Sequence, residues 1–240
     1  MQKIVRRPNF IHHQKSRILS VIREVVFGIE DGMISTLGVL IGIAVGTNNR
    51  SIVILSGLVV IIVESISMGV GSYLSAKSVK DIADRKLEEE ETEIKEYPEA
   101  EKRELVEIYI RDGWPLNLAK EMALVASKNK SLFLQEMAYK ELHISPETIE
   151  KPLRGGVFMF FSYIIGGAIP ILAYFFFPIF LSMILSIAIT LLGLFMLGCM
   201  TTKFTKRRWW KAGLEVFFIA SIAALAGYIV GVVADHFIIK

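Results

Sequence analysis

The chain has 240 residues, a mean hydropathy of +0.50 and 53% hydrophobic residues, more apolar than an ordinary soluble enzyme could cover with a polar surface. Its net charge is only +3, but residues 78–152 hold 18 of the 24 acidic residues and 12 of the 27 basic ones, so an acidic block sits between basic, apolar flanks. That pattern argues against a nucleic-acid partner, which wants one concentrated basic face, and points to a membrane protein with an acidic domain outside the bilayer.

The first twenty residues carry Lys3, Arg6, Arg7, Lys15 and Arg17 and no apolar core, so no cleavable signal peptide is expected. A bilayer core needs roughly 20 apolar helical residues. Five stretches qualify, at about 21–46, 52–77, 155–177, 179–201 and 212–237. Pro178 is expected to make the turn between the third and fourth, because proline disfavours helix in the residue before it. The predicted fold class is an all-α membrane protein: five transmembrane helices with a helical domain inserted between the second and third. The expected divisions are 1–77, 78–152 and 153–240.

Short basic segments face the cytoplasm. The basic tail and the loop KFTKRRWWK (Lys203–Lys211) therefore place the N-terminus, the acidic domain and that loop inside, with the C-terminus outside. Trp209 and Trp210 read as interfacial anchors on the same side. The single cysteine, Cys199, lies in an apolar run and forms no intrachain disulfide.

The first span carries two small-residue ladders, Gly28/Gly32 and Gly38/Gly42/Gly46, which let helix backbones touch in lipid and predict a tightly packed central helix, one candidate place for it being a dimer axis. Ile169-Pro170 is expected to kink the third span and free a backbone carbonyl.

Glu30 and Asp31 in the first span and Glu64 in the second lie deep, whereas Glu215 and Asp235 read as interfacial ends of the fifth. A charged group at mid-bilayer costs roughly 2.5–3.5 kcal/mol on insertion scales and faces a cavity or a partner. Asp31 lies about ten residues into its helix, out of reach of water by snorkelling. Glu64 and Met68 are four apart and share a helix face. A thioether beside carboxylates is an odd choice for Mg²⁺ or Ca²⁺ and suits a softer ion such as Fe²⁺, although Met68 taken alone reads as core packing.

In the acidic block, residues 78–97, 99–112, 114–130 and 131–144 read as four helices with Pro98 and Gly113 as breaks. The apolar faces are few, so the module is expected to lean on the membrane part, on a second copy or on metal. The run Glu88–Glu91 reads as a solvated face. Glu90/Glu93 and Glu101/Glu104 are three apart and Met137/Glu141 four apart, so three helices could converge several carboxylates and one thioether on a shared site. In a segment this rich in glutamate such pairs also arise by chance.

Together these residues resemble the vacuolar iron transporter family of divalent-metal/proton exchangers, over nearly the whole chain from about Ile22. VFGIEDGMISTLGVLIGIAVGT looks like the family's opening Asp-Gly motif, ILSGLVVIIVESISMGVGSYLSAKS like its Ser-Met helix, GGAIPILAYF like its Gly-Pro helix, and PEAEKRELVEIYIRDG like the start of its cytosolic metal-binding domain. The resemblance implies that Asp31 and Met68 are the pore aspartate and methionine, that Glu90, Glu93, Glu101 and Glu104 are acidic ligands of the first two cytosolic helices, and that Met137 and Glu141 complete that site. It also implies a homodimer whose first span lines the path at the subunit interface, with metal leaving the cytosol and protons returning. There are departures. Val60 stands where some members carry a pore glutamate, with Glu64 one turn nearer to Met68 as the inferred stand-in. Ser72 stands where members often have glutamate, and Ala138 where some have a second methionine. The rubrerythrin-like N-terminal domain of some bacterial relatives is not expected.

The expected function is thus export of Fe²⁺, or of Mn²⁺, Zn²⁺ or Co²⁺, in exchange for protons, with no prosthetic group. A prokaryotic plasma membrane is favoured over a vacuolar one, since no eukaryotic-style extension is seen. A membrane-anchored metal buffer or sensor is the alternative. It would explain the acidic domain but not Asp31 and Glu64. A membrane di-iron oxidase would need Glu-x-x-His pairs. None of His12, His13, His143 and His236 follows a glutamate at that spacing. His12 and His13, in a basic tail, read as idle.

Overall fold

The structure, a computed structural model, describes residues 17–144, 151–205 and 207–239. The basic tail through Lys15, His12, His13, Lys206 and Lys240 lie outside the described residues. The fold is all-helical: α1 (Arg17–Thr47), α2 (Arg50–Glu96), α3 (Pro98–Arg111), α4 (Leu116–Ser127), α5 (Lys130–Lys140), α6 (Pro152–Phe176), α7 (Ile179–Thr205) and α8 (Trp209–Ala234), the last followed by a π-helical turn, Asp235–Ile239. Among the described residues five helices, α1, α2, α6, α7 and α8, are long and apolar enough to cross a membrane. The short helices α3–α5 are inserted between the second and third of these. The chain divides into two compact units, Val79–Glu150 and Val21–Ser78 with Lys151–Lys240.

One expectation is corrected in detail. The first acidic helix is not a separate element but the continuation of the second span, because α2 runs 47 residues without a break. Nothing in LSAKSVKDIADRKLEEE interrupts helix, and Lys80–Asp84, Arg85–Glu89 and Glu91–Lys95 pair one turn apart along it. Pro98 then both ends α2 and opens α3 at its first turn.

In the membrane-type unit the glycines of α1 are used within the chain, in two directions. A Cβ at Gly32 would overlap the Tyr163 carbonyl, one at Gly28 would sit 2.8 Å from Ser162 Cβ, and one at Gly166 would overlap the Ile29 carbonyl, so the first half of α1 lies backbone to backbone on α6. Gly42 faces Gly227 at 3.0 Å by the same measure, and a Cβ at Gly227 would overlap the Gly38 carbonyl, so the second half lies on α8. In lipid, association rests on such close packing and on interhelical hydrogen bonds. Leu40, Ala44, Val53, Ile61, Ile171 and Tyr174 fill the space among α1, α2 and α6, and Met33, Leu194 and Ala220 that among α1, α7 and α8.

Side chains also bond backbone groups at the helix ends and across the α6–α7 contact. Asn49 Oδ1 accepts from the amides of Ser51 and Ile52 and caps α2. Arg50 donates to the carbonyls of Tyr174 and Phe175 at the end of α6. This is a cation at a helix C-terminus, where the macrodipole favours it. α6 continues through Pro170, and Ser186 of α7 donates to the Pro170 carbonyl at 2.7 Å while Ser182 donates to those of Ala173 and Phe177. Pro178 stands in the turn between α6 and α7 as expected.

The acidic unit has its own core, against the expectation of few apolar faces: Ile94, Leu105, Tyr109, Ala119, Ala123, Ala126, Phe133 and Met137 form one buried cluster. Small alanines on α4 let α3 and α5 close over it. Tyr109 donates to Glu136 at 3.0 Å and Lys140 pairs with Asp112 at 2.5 Å, clipping α3 to α5.

The Gly166–Ile29 contact gives a direct test. Gly166→Ala forces α1 and α6 apart and is expected to cost about 1–3 kcal/mol, as overpacking does, lowering the unfolding midpoint in detergent. Gly71→Ala, at a glycine with nothing within 4 Å of a new Cβ, is expected to leave the midpoint unchanged or slightly raised.

Candidate metal sites

In the acidic unit Glu90 projects from the end of α2, Glu101 from the first turn of α3, and Glu141 caps the C-terminus of α5. Each offers a carboxylate oxygen, and these oxygens all lie within 4.8 Å of one another. Glu90 is 2% exposed, Glu101 7%, and Glu141 half-buried. One oxygen of each, Glu90 Oε1, Glu101 Oε2 and Glu141 Oε2, is buried without a hydrogen-bond partner. Glu93 and Glu104, also expected in the site, are exposed at its edge, close enough for their charges to act on the three. Met137 is fully buried in the apolar core one turn before Glu141, whose amide donates to the Met137 carbonyl. The structure therefore gathers three of the six expected residues tightly, sets two at the rim, and places the sixth in the apolar core beside them.

Burial is the first cause of the electrostatics here. It pushes the Glu90 carboxyl up to about 8, helped by repulsion from Glu141, Glu101, Glu93 and Glu104. Glu101 is raised by burial and then by Glu104, Glu141 and Glu93, and Glu141 by burial and then by Glu104 and Glu93. Three carboxylates packed this way cannot all be ionised unless a cation stands among them. Acid oxygens and no nitrogen or thiolate make a hard donor set, open to Fe²⁺ and Mn²⁺ as well as to other divalent ions.

In the membrane-type unit Asp31 is half-buried on α1, and its carboxylate lies within electrostatic reach of Glu64 on α2. Glu64 is exposed on the chain's surface, and Met68, one turn further along α2, is half-buried. Glu30 is half-buried within electrostatic reach of Asp31 and, more weakly, of Glu215 on α8, and Glu215 is exposed and pairs with Arg207 at 3.5 Å.

The sequence reading missed Glu24. It is the most deeply buried carboxylate of this unit, 6% exposed. It is held by Arg23 at 2.8 Å and by the Ser72 hydroxyl at 2.9 Å. Its spacing was the available signal: Glu24 is seven residues before Asp31 and shares its helix face, just as Ser72 lies one turn beyond Met68 on α2. Ser72, noted as a departure, is thus a partner of Glu24.

A model of the VIT family matches residues 22–232. The chain is similar to vacuolar iron transporter 1 of Arabidopsis thaliana, with 28% identity over 228 residues, 94% of this chain and 91% of that one. It is similar to vacuolar iron transporter 1 of Tulipa gesneriana, with 30% identity over 209 residues, 87% and 85% of the two chains. It is also similar to the vacuolar iron transporter of Plasmodium falciparum, with 28% identity over 225 residues, 90% and 82% of the two. With that match over almost all of its length and with five membrane-length helices, the chain is a multi-pass membrane protein of the VIT family, a transporter family and not an enzyme.

Proposed function

We propose that this protein exports Fe²⁺, or a related divalent ion such as Mn²⁺, Zn²⁺ or Co²⁺, from the cytosol in exchange for protons, working as a homodimer. The observation that carries the reading is the trio Glu90, Glu101 and Glu141, each with a buried oxygen that nothing in the described chain satisfies. Residues 78–152 then form the cytosolic metal-binding domain between the membrane segments 1–77 and 153–240. Glu93 and Glu104, exposed at the rim, draw the ion in, and Met137 lies behind the trio. Asp31, Glu64 and Met68 mark the path through the bilayer, with Glu24 and Ser72 toward its cytosolic end. A carboxylate binds metal only when deprotonated, so metal and proton compete for the same oxygens. If the path opens to one side at a time, protonation of Asp31 and Glu64 from the far side releases the ion there and couples the two fluxes.

The basic loop around Arg207 and Arg208 supports a cytosolic N-terminus and acidic domain. A prokaryotic plasma membrane remains the favoured host in this reading, although the relatives named above are called vacuolar. A membrane-anchored buffer would need the acidic trio alone. Asp31 and Glu64, on two membrane-length helices and within electrostatic reach of each other, favour transport.

The flux test uses sealed proteoliposomes with an imposed pH gradient and an internal pH dye. Metal movement with opposite proton movement is expected, reduced at least about tenfold in Asp31→Asn, the equivalent of about 1.4 kcal/mol. Binding without flux in vesicles that hold the gradient would select the buffer, and parental transport by Asp31→Asn would remove Asp31 from the path.

The raised carboxyls give a pH test. Between the ordinary value of 4.5 and about 8 folded Glu90 holds a proton that the unfolded chain has released, and Glu101 and Glu141 are raised in the same sense, so the metal-free unit loses stability as pH rises through that window. Protection factors of α3 and α5 amides in the full chain are expected to fall from pH 5.5 to pH 8 without metal and to stay level with saturating Mn²⁺. Metal affinity runs the other way, rising with pH as protons are displaced. Glu90→Gln is expected to raise the metal-free protection at pH 8 and to weaken Mn²⁺ binding by at least about tenfold, as loss of a charged ligand does.

A further inference from the structure

Tyr163 of α6 is wholly buried, and it sits against α1 where Gly32 meets its backbone. A phenol hydroxyl in such a place costs stability unless it is bonded. Its nearer partner is Ser35 of α1, with the two oxygens 2.6 Å apart, and the neighbouring Thr36 side chain is a second, weaker one. Ser35 in turn donates to the main-chain carbonyl of Asp31, also at 2.6 Å. A serine hydroxyl has one hydrogen, and here it is committed to that carbonyl, so Tyr163 is the donor to Ser35. The chain of bonds has a direction: Tyr163 to Ser35 to the Asp31 carbonyl. In a helix that carbonyl already accepts from the amide four residues on, which is Ser35's own. The backbone of α1 at Asp31 is therefore held twice, once by its helix and once by a hydroxyl fixed from α6. The Tyr163 hydroxyl also lies within electrostatic reach of the Asp31 and Glu64 carboxylates, so this bracket is at the proposed path and not remote from it.

We infer that Tyr163, acting through Ser35, is a positioning residue for Asp31: it fixes the α1 backbone from which the Asp31 carboxylate is presented to the cation. Packing alone would be served by phenylalanine, whose ring fills the same space. The hydroxyl adds a fixed reference between α6 and the carbonyl of the residue that meets the ion. A side chain held to its productive geometry by such supporting bonds binds more tightly than one free to wander. The inference rests on the proposed role of Asp31 in the path.

The test measures metal flux in proteoliposomes against Fe²⁺ concentration for the parent, Tyr163→Phe, Ser35→Ala and the double variant, with Asp31→Asn in parallel. Each single variant is expected to raise the half-saturating concentration by about three- to tenfold, the range for one lost buried hydrogen bond. The double variant is expected to be no worse than the poorer single one, because both break the same bracket. Metal binding by the acidic trio, measured on the same full-length variants, is expected to be parental. A parental half-saturating concentration in Tyr163→Phe overturns the inference, whether or not its unfolding midpoint or maximal flux falls, since that pattern is packing. Additive losses in the double variant overturn it as well. Parental flux in Asp31→Asn overturns the path reading and this inference together, whereas lost flux in Asp31→Asn beside a parental Tyr163→Phe overturns this inference alone.

Discussion

A carboxylate taken out of water must be answered by a proton, a donor or a cation, because in a low-dielectric surrounding its charge is otherwise too costly. The chain presents the three answers side by side. Glu24 is met by donors, Arg23 and Ser72. Glu90, Glu101 and Glu141 leave an oxygen apiece unmet. Without metal, burial and mutual repulsion raise all three carboxyls above the ordinary range, Glu90 to about 8, so that protons answer part of the charge. In the proposed function a metal ion would take the place of those protons, since both neutralise the same buried oxygens.

Most of the architecture was legible in the sequence because lipid imposes a coarse rule: long apolar runs become helices. The five spans, the break at Pro98 and the turn at Pro178 all follow from that rule and from proline chemistry. The glycines of α1 announced close packing, but not its direction. Gly28 and Gly32 meet Ser162, Tyr163 and Gly167 on α6 and Gly42 meets Gly227 on α8, inside one chain, which no spacing rule could have told apart from a subunit contact. The acidic block was harder to read. Its core rests on Ala119, Ala123 and Ala126, residues too small to announce an apolar face by hydropathy, and so the unit looked less self-sufficient than it is.

The candidate site was legible as chemistry and not as geometry. Spacing put Glu90 with Glu93 and Glu101 with Glu104, each pair on one face. The fold then turned Glu90 and Glu101 inward and left their partners at the edge. Three-residue spacing spans a wide sector of a helix, and where the core lies decides which member is buried. Met137 shows the same limit, since a thioether suits an apolar core as well as a soft cation, and its place in the core could not be read from Met137/Glu141 spacing. Glu24 went unnoticed beside Arg23 near the start of the span, where charge reads as an interfacial end. Its burial depends on Ser72, which lies 48 residues away in the chain.

The position of Asp31 on α1 follows from how that helix is held. Gly28 and Gly32 press its first half on α6, and Gly38 and Gly42 press its second half on α8, so Asp31 lies just before α1 passes from one neighbour to the other. There the backbone is fixed by contacts that leave no room for a methyl group, and by the Ser35 bracket on its carbonyl. The side chain, in contrast, remains half-buried and within electrostatic reach of Glu64. A rigid backbone beneath an incompletely answered charge suits the cation role proposed for Asp31: the cost of order is met in advance, and an ion there would replace repulsion between two carboxylates with attraction to both.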